Sequence, residues 1–98
     1  MDDLIVRRDD AASRYEAILD GQLVGLADFT TRSAPGRPDT VVITHTESRL
    51  EGRGIASALV RAVLDDLRAR NSLVVPACPF VAKYIERHPE HADLLATA

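Results

Sequence analysis

Arg49-Leu50-Glu51-Gly52-Arg53-Gly54-Ile55-Ala56 leads without a break into Ser57-Ala58-Leu59-Val60-Arg61-Ala62-Val63-Leu64. Two glycines in a short basic turn open onto a helical stripe. Its apolar members are Ile55, Ala56, Leu59, Val60, Val63, Leu64 and Leu67. The first amides of a helix have no intrahelical carbonyl to pair with, and the helix dipole places partial positive charge at the same end. Such a turn accepts a phosphate or pyrophosphate, and Arg49 and Arg53 add full charges beside it. An ordinary glycine turn before a helix has the same local pattern, so the flanks decide. A β-rich run, Thr40-Val41-Val42-Ile43-Thr44-His45-Thr46, precedes the turn. A second, Ser72-Leu73-Val74-Val75-Pro76, follows the helix and leads into Ala77-Cys78-Pro79-Phe80-Val81-Ala82-Lys83-Tyr84-Ile85. The order strand, glycine turn, helix, strand, helix is a βαβα unit. Its anion-binding turn lies at the carboxyl end of a strand, where open α/β sheets bind ligands.

Upstream the pattern changes. Leu4-Ile5-Val6 predicts a short first strand, residues 9–13 a turn, and residues 14–19 a second strand. Asp20-Gly21 is a hairpin signal, and residues 23–31 form the returning strand. A loop with Pro35, Gly36 and Pro38 follows. The expected fold is therefore α+β: an antiparallel meander of about four strands and then the βαβα unit, all in one domain spanning residues 1–98. The long helix should cover residues 54–70 and stop at Asn71. Arg61, Asp65 and Arg68 should form its solvated face, with i,i+4 pairs Arg61–Asp65 and Asp66–Arg70. Pro79 suits the first position of the last helix, which should turn Phe80, Tyr84 and Ile85 toward the sheet and end before Pro89. Beyond it the residues predict one turn around Leu94-Leu95 and then fraying.

Glu51-Gly52-Arg53-Gly54-Ile55-Ala56 resembles the coenzyme A pyrophosphate loop of the GNAT superfamily of N-acetyltransferases, and Ala82-Lys83-Tyr84 resembles a later segment of that family. The likeness is greater to a short branch with a His-Thr pair before the loop, then Cys-Pro-Phe-Val, then Arg-His-Pro. Here these are His45-Thr46, Cys78-Pro79-Phe80-Val81 and Arg87-His88-Pro89. The loop pattern fits in two registers, one through Arg49, Gly52 and Gly54 and one through Glu51, Gly54 and Ala56. The helical stripe starting at Ile55 favours the second. That register puts Glu51 where the family carries Gln or Arg, so backbone amides of residues 53–58 are the expected ligands.

The resemblance implies a minimal acyl-CoA N-acyltransferase fold. It also implies transfer of an acetyl group from acetyl-CoA to an amine, a small molecule or a protein lysine. Expected coenzyme contacts are Thr46, Arg53, Gly54, Ile55, Ala56, Ser57 and Ala58. His45 and Glu47 are candidate bases near the strand end. They share one face of the strand, and Thr46 takes the other. Tyr84 matches a tyrosine that protonates the leaving thiolate in the family, with core packing as its plainer role. Cys78, at a helix N-terminus where a thiol loses its proton more readily, is an acetyl carrier or a small residue beside the pantetheine arm. The family's helices between the first two strands have no room here, so the acceptor site is open or completed by another subunit. A coenzyme A-binding module without turnover, acting as sensor or accessory subunit, is the alternative.

Composition narrows the setting. The 98 residues carry a formal net charge of −3 and are 46% hydrophobic, as in one globular domain. That charge gives no general attraction to nucleic acid or to an anionic membrane. One cysteine allows no internal disulfide, which suits a reducing cytoplasm. His88 and His91 lack a further ligand set of metal-site spacing, so no metal is expected. The remaining expectation is a monomer or weak homodimer.

Overall fold

The computed structural model describes residues 3–49 and 54–96. Strands β1 (Leu4–Asp9), β2 (Arg14–Leu19), β3 (Gln22–Arg32) and β4 (Thr40–Ser48) form the meander. Helix α1 (Ile55–Ala69), strand β5 (Leu73–Pro76) and helix α2 (Pro79–Arg87) complete the βαβα unit, and a 3-10 helix (Pro89–Leu94) follows. Among the described residues the five strands make one sheet in sequence order. The first three pairings are antiparallel, and β4 and β5 are parallel, with α1 as the crossover.

Local chemistry accounts for the turns. Asp20 and Gly21 both have positive φ, 50° and 79°, which a two-residue hairpin matched to strand twist requires. After α1 the chain reverses at Asn71, φ 56°, a residue that tolerates the left-handed region. Pro79 occupies the start of α2 as expected.

Both helices lie on one face of the sheet. Ile55, Leu59, Val60, Val63, Leu64 and Leu67 of α1 are buried against Tyr15, Ala17, Ala27, Phe29, Val41 and Ile43 of the strands. The Tyr15 hydroxyl donates to Asp66 of α1 at 2.6 Å. Burial, and then that carboxylate, push its pKa up to about 12. The Arg8 guanidinium sits 4.8 Å from the Phe29 ring centre and donates to the Tyr15 hydroxyl. On the opposite face Glu16 is buried only by its neighbours on the sheet. Arg7 donates to one carboxylate oxygen at 2.9 Å and Arg14 to the other at 2.6 Å. These two bonds hold Glu16 below the usual carboxylate range against the cost of burial.

Four expectations need correction. Arg68 is not simply solvated: it makes a two-pronged bridge to Asp93, at 2.7 and 2.8 Å, pinning the 3-10 helix to α1. Arg70 does pair with Asp66, but Arg61 and Asp65 form no ion pair. The turn expected around Leu94-Leu95 is present as the 3-10 helix Pro89–Leu94, but the fraying expected after it has not begun at Ala96. His91 and Leu94 are buried, Leu95 bridges to Val74, and the Ala96 amide donates to the Val74 carbonyl. In α2 the buried residues are Val81, Tyr84 and Ile85, while Phe80 is 41% exposed. Counting from Pro79 as the first residue, Val81 rather than Phe80 falls on the inner stripe.

One irregularity governs the site. The pairing of β3 with β4 shifts between Asp28 and Phe29, so Phe29 faces Ile43 and Asp28 faces His45. Thr44 is the extra residue of a β-bulge. Ile43 points to the helices; beyond the bulge, Thr46 opposite Ala27 does so too, and His45 and Glu47 point to the open face.

Candidate active site

The register of β4 and β5 ends at Ile43 and Pro76. Beyond it β4 continues to Ser48, whereas the other chain turns into α2. The Cys78 amide still donates to the Ile43 carbonyl at 2.9 Å, and the two backbones then separate. Two helix starts flank this opening. Gly54 is the N-cap of α1 with φ 71° and ψ 17°, a left-handed conformation that costs a side-chain-bearing residue energy. No side chain caps the helix, and its first intrahelical bond runs from the Ala58 amide to the Gly54 carbonyl. The amides of Ile55, Ala56 and Ser57 precede any intrahelical acceptor. Of the residues expected at the pyrophosphate, Gly54, Ile55, Ala56 and Ser57 thus share one helix end, and the Ala58 amide is already occupied. Arg53, with Glu51 and Gly52, lies outside the described residues.

The second helix start holds Cys78. It caps α2 in an extended conformation, φ −77° and ψ 125°, and only 6% of it is exposed. Its sulfur lies 3.4 Å from Thr46 Oγ1. Burial alone would raise the thiol pKa. The Thr46 hydroxyl and the backbone amides of Val81 and Phe80 outweigh that and bring it below the ordinary thiol value. Thr46 and Cys78, far apart in sequence, are therefore one unit.

The other candidates separate into two places. His45 and Glu47 lie together on the open face, 58% and 57% exposed at the side chain, with Nε2 and Oε1 3.7 Å apart. They face away from the helix side on which Thr46 meets Cys78. Tyr84 lines a cavity of about 490 Å³ between α1 and α2, with Ser57, Phe80, Lys83, Arg87 and His88. Its ring stacks on His88 with centroids 4.0 Å apart. Partial burial raises its hydroxyl pKa, with Arg61 opposing and Glu90 and Asp65 adding to the rise. The phenol is thus protonated at neutral pH and available as a donor. Residue spacing did not single out Phe80 and Lys83 as site residues. Their signal was the repeat Phe80, Lys83, Arg87 along one helical face.

Sequence comparison agrees with this architecture. A family model described as GCN5-related N-acetyl-transferase matches residues 14–94. The chain belongs to the GCN5-related N-acetyltransferase family, and the expected class of enzyme and α+β fold are those of that family. A search of curated protein sequences found no match. Among solved structures, a GCN5-like protein of Staphylococcus aureus superposes with a TM-score of 0.68 at 17% identity, covering 100% of this chain and 93% of that one. A ribosomal-protein-alanine N-acetyltransferase from Brucella melitensis biovar Abortus 2308 gives 0.54 at 23% identity, covering 87% and 62%. A Clostridium acetobutylicum protein described as a predicted acetyltransferase and solved with acetyl-CoA gives 0.51 at 16% identity, covering 76% and 55%. At such identities the likeness is one of fold. The chain spans nearly all of the first of these and little more than half of the other two.

Proposed function

We propose that residues 1–98 act as one acetyl-CoA-dependent N-acetyltransferase domain whose acetyl group passes through, or beside, the Cys78 sulfur to an amine. One observation carries this reading: two helix starts flank the opening between β4 and β5, one whose first amides have no partner among the described residues and the other with a thiol whose pKa is lowered. The amides of Ile55, Ala56 and Ser57 suit a pyrophosphate. A thioester held from there reaches into the opening where Thr46 and Cys78 meet.

Two balanced routes use this arrangement. In the carrier route the Cys78 thiolate attacks the thioester carbonyl, and the carbon–sulfur bond to the coenzyme breaks. The departing thiolate takes a proton, for which the Tyr84 phenol is the candidate donor. The amine then attacks acetyl-Cys78, loses a proton to solvent or a base, and restores the thiolate. In the direct route the amine attacks the coenzyme thioester itself and the carbon–sulfur bond breaks; the amine loses a proton to solvent or a base, the departing thiolate takes one from Tyr84, and Cys78 only orients the thioester. His45 and Glu47 serve either route only for an amine that arrives from the open face.

The test is release of free thiol from acetyl-CoA against a panel of small amines and lysine peptides, repeated with Cys78→Ala. Turnover should fall at least about a hundredfold with coenzyme affinity retained, and brief exposure to labelled acetyl-CoA should leave acetyl on Cys78 in the carrier route. Full activity of Cys78→Ala rejects both roles for the sulfur. Among the described residues no helix covers the open sheet face, which favours a second reading, a coenzyme A-binding module without turnover. Binding without thiol release across the panel supports it. A cytoplasmic setting and a monomer or weak homodimer belong to the same proposal.

A further inference from the structure

Five arginines of this chain, Arg7, Arg8, Arg14, Arg68 and Arg70, are each bound to a carboxylate. Lys83 and Arg87 are not in any ion pair among the described residues, and both line the cavity between the helices. They stand one turn apart on α2, so their charges project to the same side. Phe80, one turn earlier on that stripe, leaves 41% of its surface uncovered beside them. A third cation, Arg61, sits one turn beyond Ser57 on α1, and its charge acts on Tyr84 of this cavity. Asp65 and Glu90 also act on that hydroxyl, but no carboxylate lines the cavity among the described residues. Another cavity, about 340 Å³ near Pro76 and Leu95, has Glu86 in its wall and no cation. Arg32, Arg37, Arg49 and Arg61 are likewise in no ion pair among the described residues, but Lys83 and Arg87 are the ones that line this cavity, beside an aromatic ring and with no carboxylate in the wall.

From this contrast we propose that Lys83 and Arg87 bind the 3′-phosphate of coenzyme A, with Phe80 against the adenine, so that the enzyme selects the phosphorylated coenzyme over its dephospho form. The inference rests on the coenzyme reading above. Ser57 links the two parts, since it belongs both to the open first turn of α1 and to the wall of this cavity. The pyrophosphate and the 3′-phosphate hang from the same ribose, so a ligand anchored at the first turn of α1 carries its second phosphate group into this space. A flat base over an exposed ring and a dianion beside two cations match the two kinds of surface present.

Calorimetric titration with coenzyme A and with 3′-dephospho-coenzyme A tests it. The wild type should bind coenzyme A about tenfold more tightly, the scale of one or two charge-assisted hydrogen bonds. In the double variant Lys83→Gln, Arg87→Gln affinity for coenzyme A should drop about tenfold and affinity for the dephospho form should stay within about twofold. The preference should also shrink as salt is raised. Phe80→Ala should weaken both ligands alike, since both carry adenine. All three side chains are exposed, so the variants should fold, which circular dichroism would verify. Equal wild-type affinity for the two ligands, or equal losses in the double variant, overturns the 3′-phosphate assignment and leaves the coenzyme reading intact. Failure of the folded wild type to bind either ligand overturns the coenzyme reading and this inference together.

Discussion

The two helix starts differ in what their first-turn amides face. At α1 the cap is a glycine in a left-handed conformation without side-chain capping, so the amides of Ile55, Ala56 and Ser57 await an acceptor from outside the helix. At α2 the cap is Cys78, and amides of Phe80 and Val81 act on its own sulfur. The first start suits an anion from elsewhere, and the second lowers the pKa of its own thiol. Both follow the carboxyl end of a parallel strand. In the proposed function the same backbone dipole would serve binding at one start and reactivity at the other, with the capping residue marking the difference.

The largest expected effect breaks the first half of that comparison. Gly54→Glu adds bulk at a left-handed position and a negative charge where phosphate must approach. Calorimetry should show coenzyme A affinity reduced at least about a hundredfold, or about 2.7 kcal/mol. Unchanged affinity would remove the α1 start from the site.

Gly25→Val tests the same start from beneath. A Cβ on Gly25 would lie 3.1 Å from the Glu47 carbonyl oxygen and 3.4 Å from Ile55 Cγ2, so the larger side chain must push the first residue of α1 off the sheet. We expect a loss of about 1–3 kcal/mol in urea unfolding and weaker coenzyme binding, with the Cys78 alkylation rate little changed. If alkylation changes as much as binding, the two starts are one mechanical unit and the comparison fails.

Thr46→Val addresses the second half. It removes the hydroxyl that helps hold the Cys78 thiol below its ordinary pKa. The pH midpoint of iodoacetamide alkylation should therefore move upward, and the rate at pH 7 should fall about threefold to tenfold. An unmoved midpoint would leave the α2 amides as the sole activating groups.

The smallest effect serves as the outside reference. Glu16 touches neither start, and its folded pKa lies below the usual range. A depressed carboxylate stabilises the fold above its unfolded pKa, and that stabilisation is lost as pH falls through the folded value. Glu16→Gln should therefore lower the melting temperature modestly at pH 7 and by less in mild acid, with coenzyme affinity unchanged. Equal losses at both pH values would show that the Arg7–Glu16–Arg14 cluster works by packing and not by charge.

The long-range order of the strands and helices was legible from periodicity and from turn residues such as Asp20-Gly21, Asn71 and Pro79, because these act locally. The α1 start was legible for the same reason: glycine before an amphipathic run is a local pattern. The Thr46–Cys78 contact was only half visible, because each residue was marked and the pairing of β4 with β5 that joins them is long-range. A turn near Leu94-Leu95 was legible, but the docking of residues 89–96 was not, because its holds are all distant in sequence: the burial of His91 and Leu94, the Arg68–Asp93 bridge, and the edge contacts of Leu95 and Ala96 with Val74. Phe80 was assigned inward because an aromatic residue beside a helix start reads as core. Here the cavity wall takes it instead.

The bulge at Thr44 makes the two sides of β4 a matter of odd and even count. Counted from Ile43 without it, His45 and Glu47 would turn inward to the helices and Thr46 outward. With it, the order is reversed. A chain shortened by Thr44 alone would keep every other residue of the strand. It would also leave His45 and Glu47 on the open face and Thr46 toward Cys78, because the residue lost is the one without a partner on β3. In this strand, then, the unpaired residue sets the surfaces: conservative exchanges adjust the chemistry, whereas pairing the same sequence without the bulge would exchange the two faces.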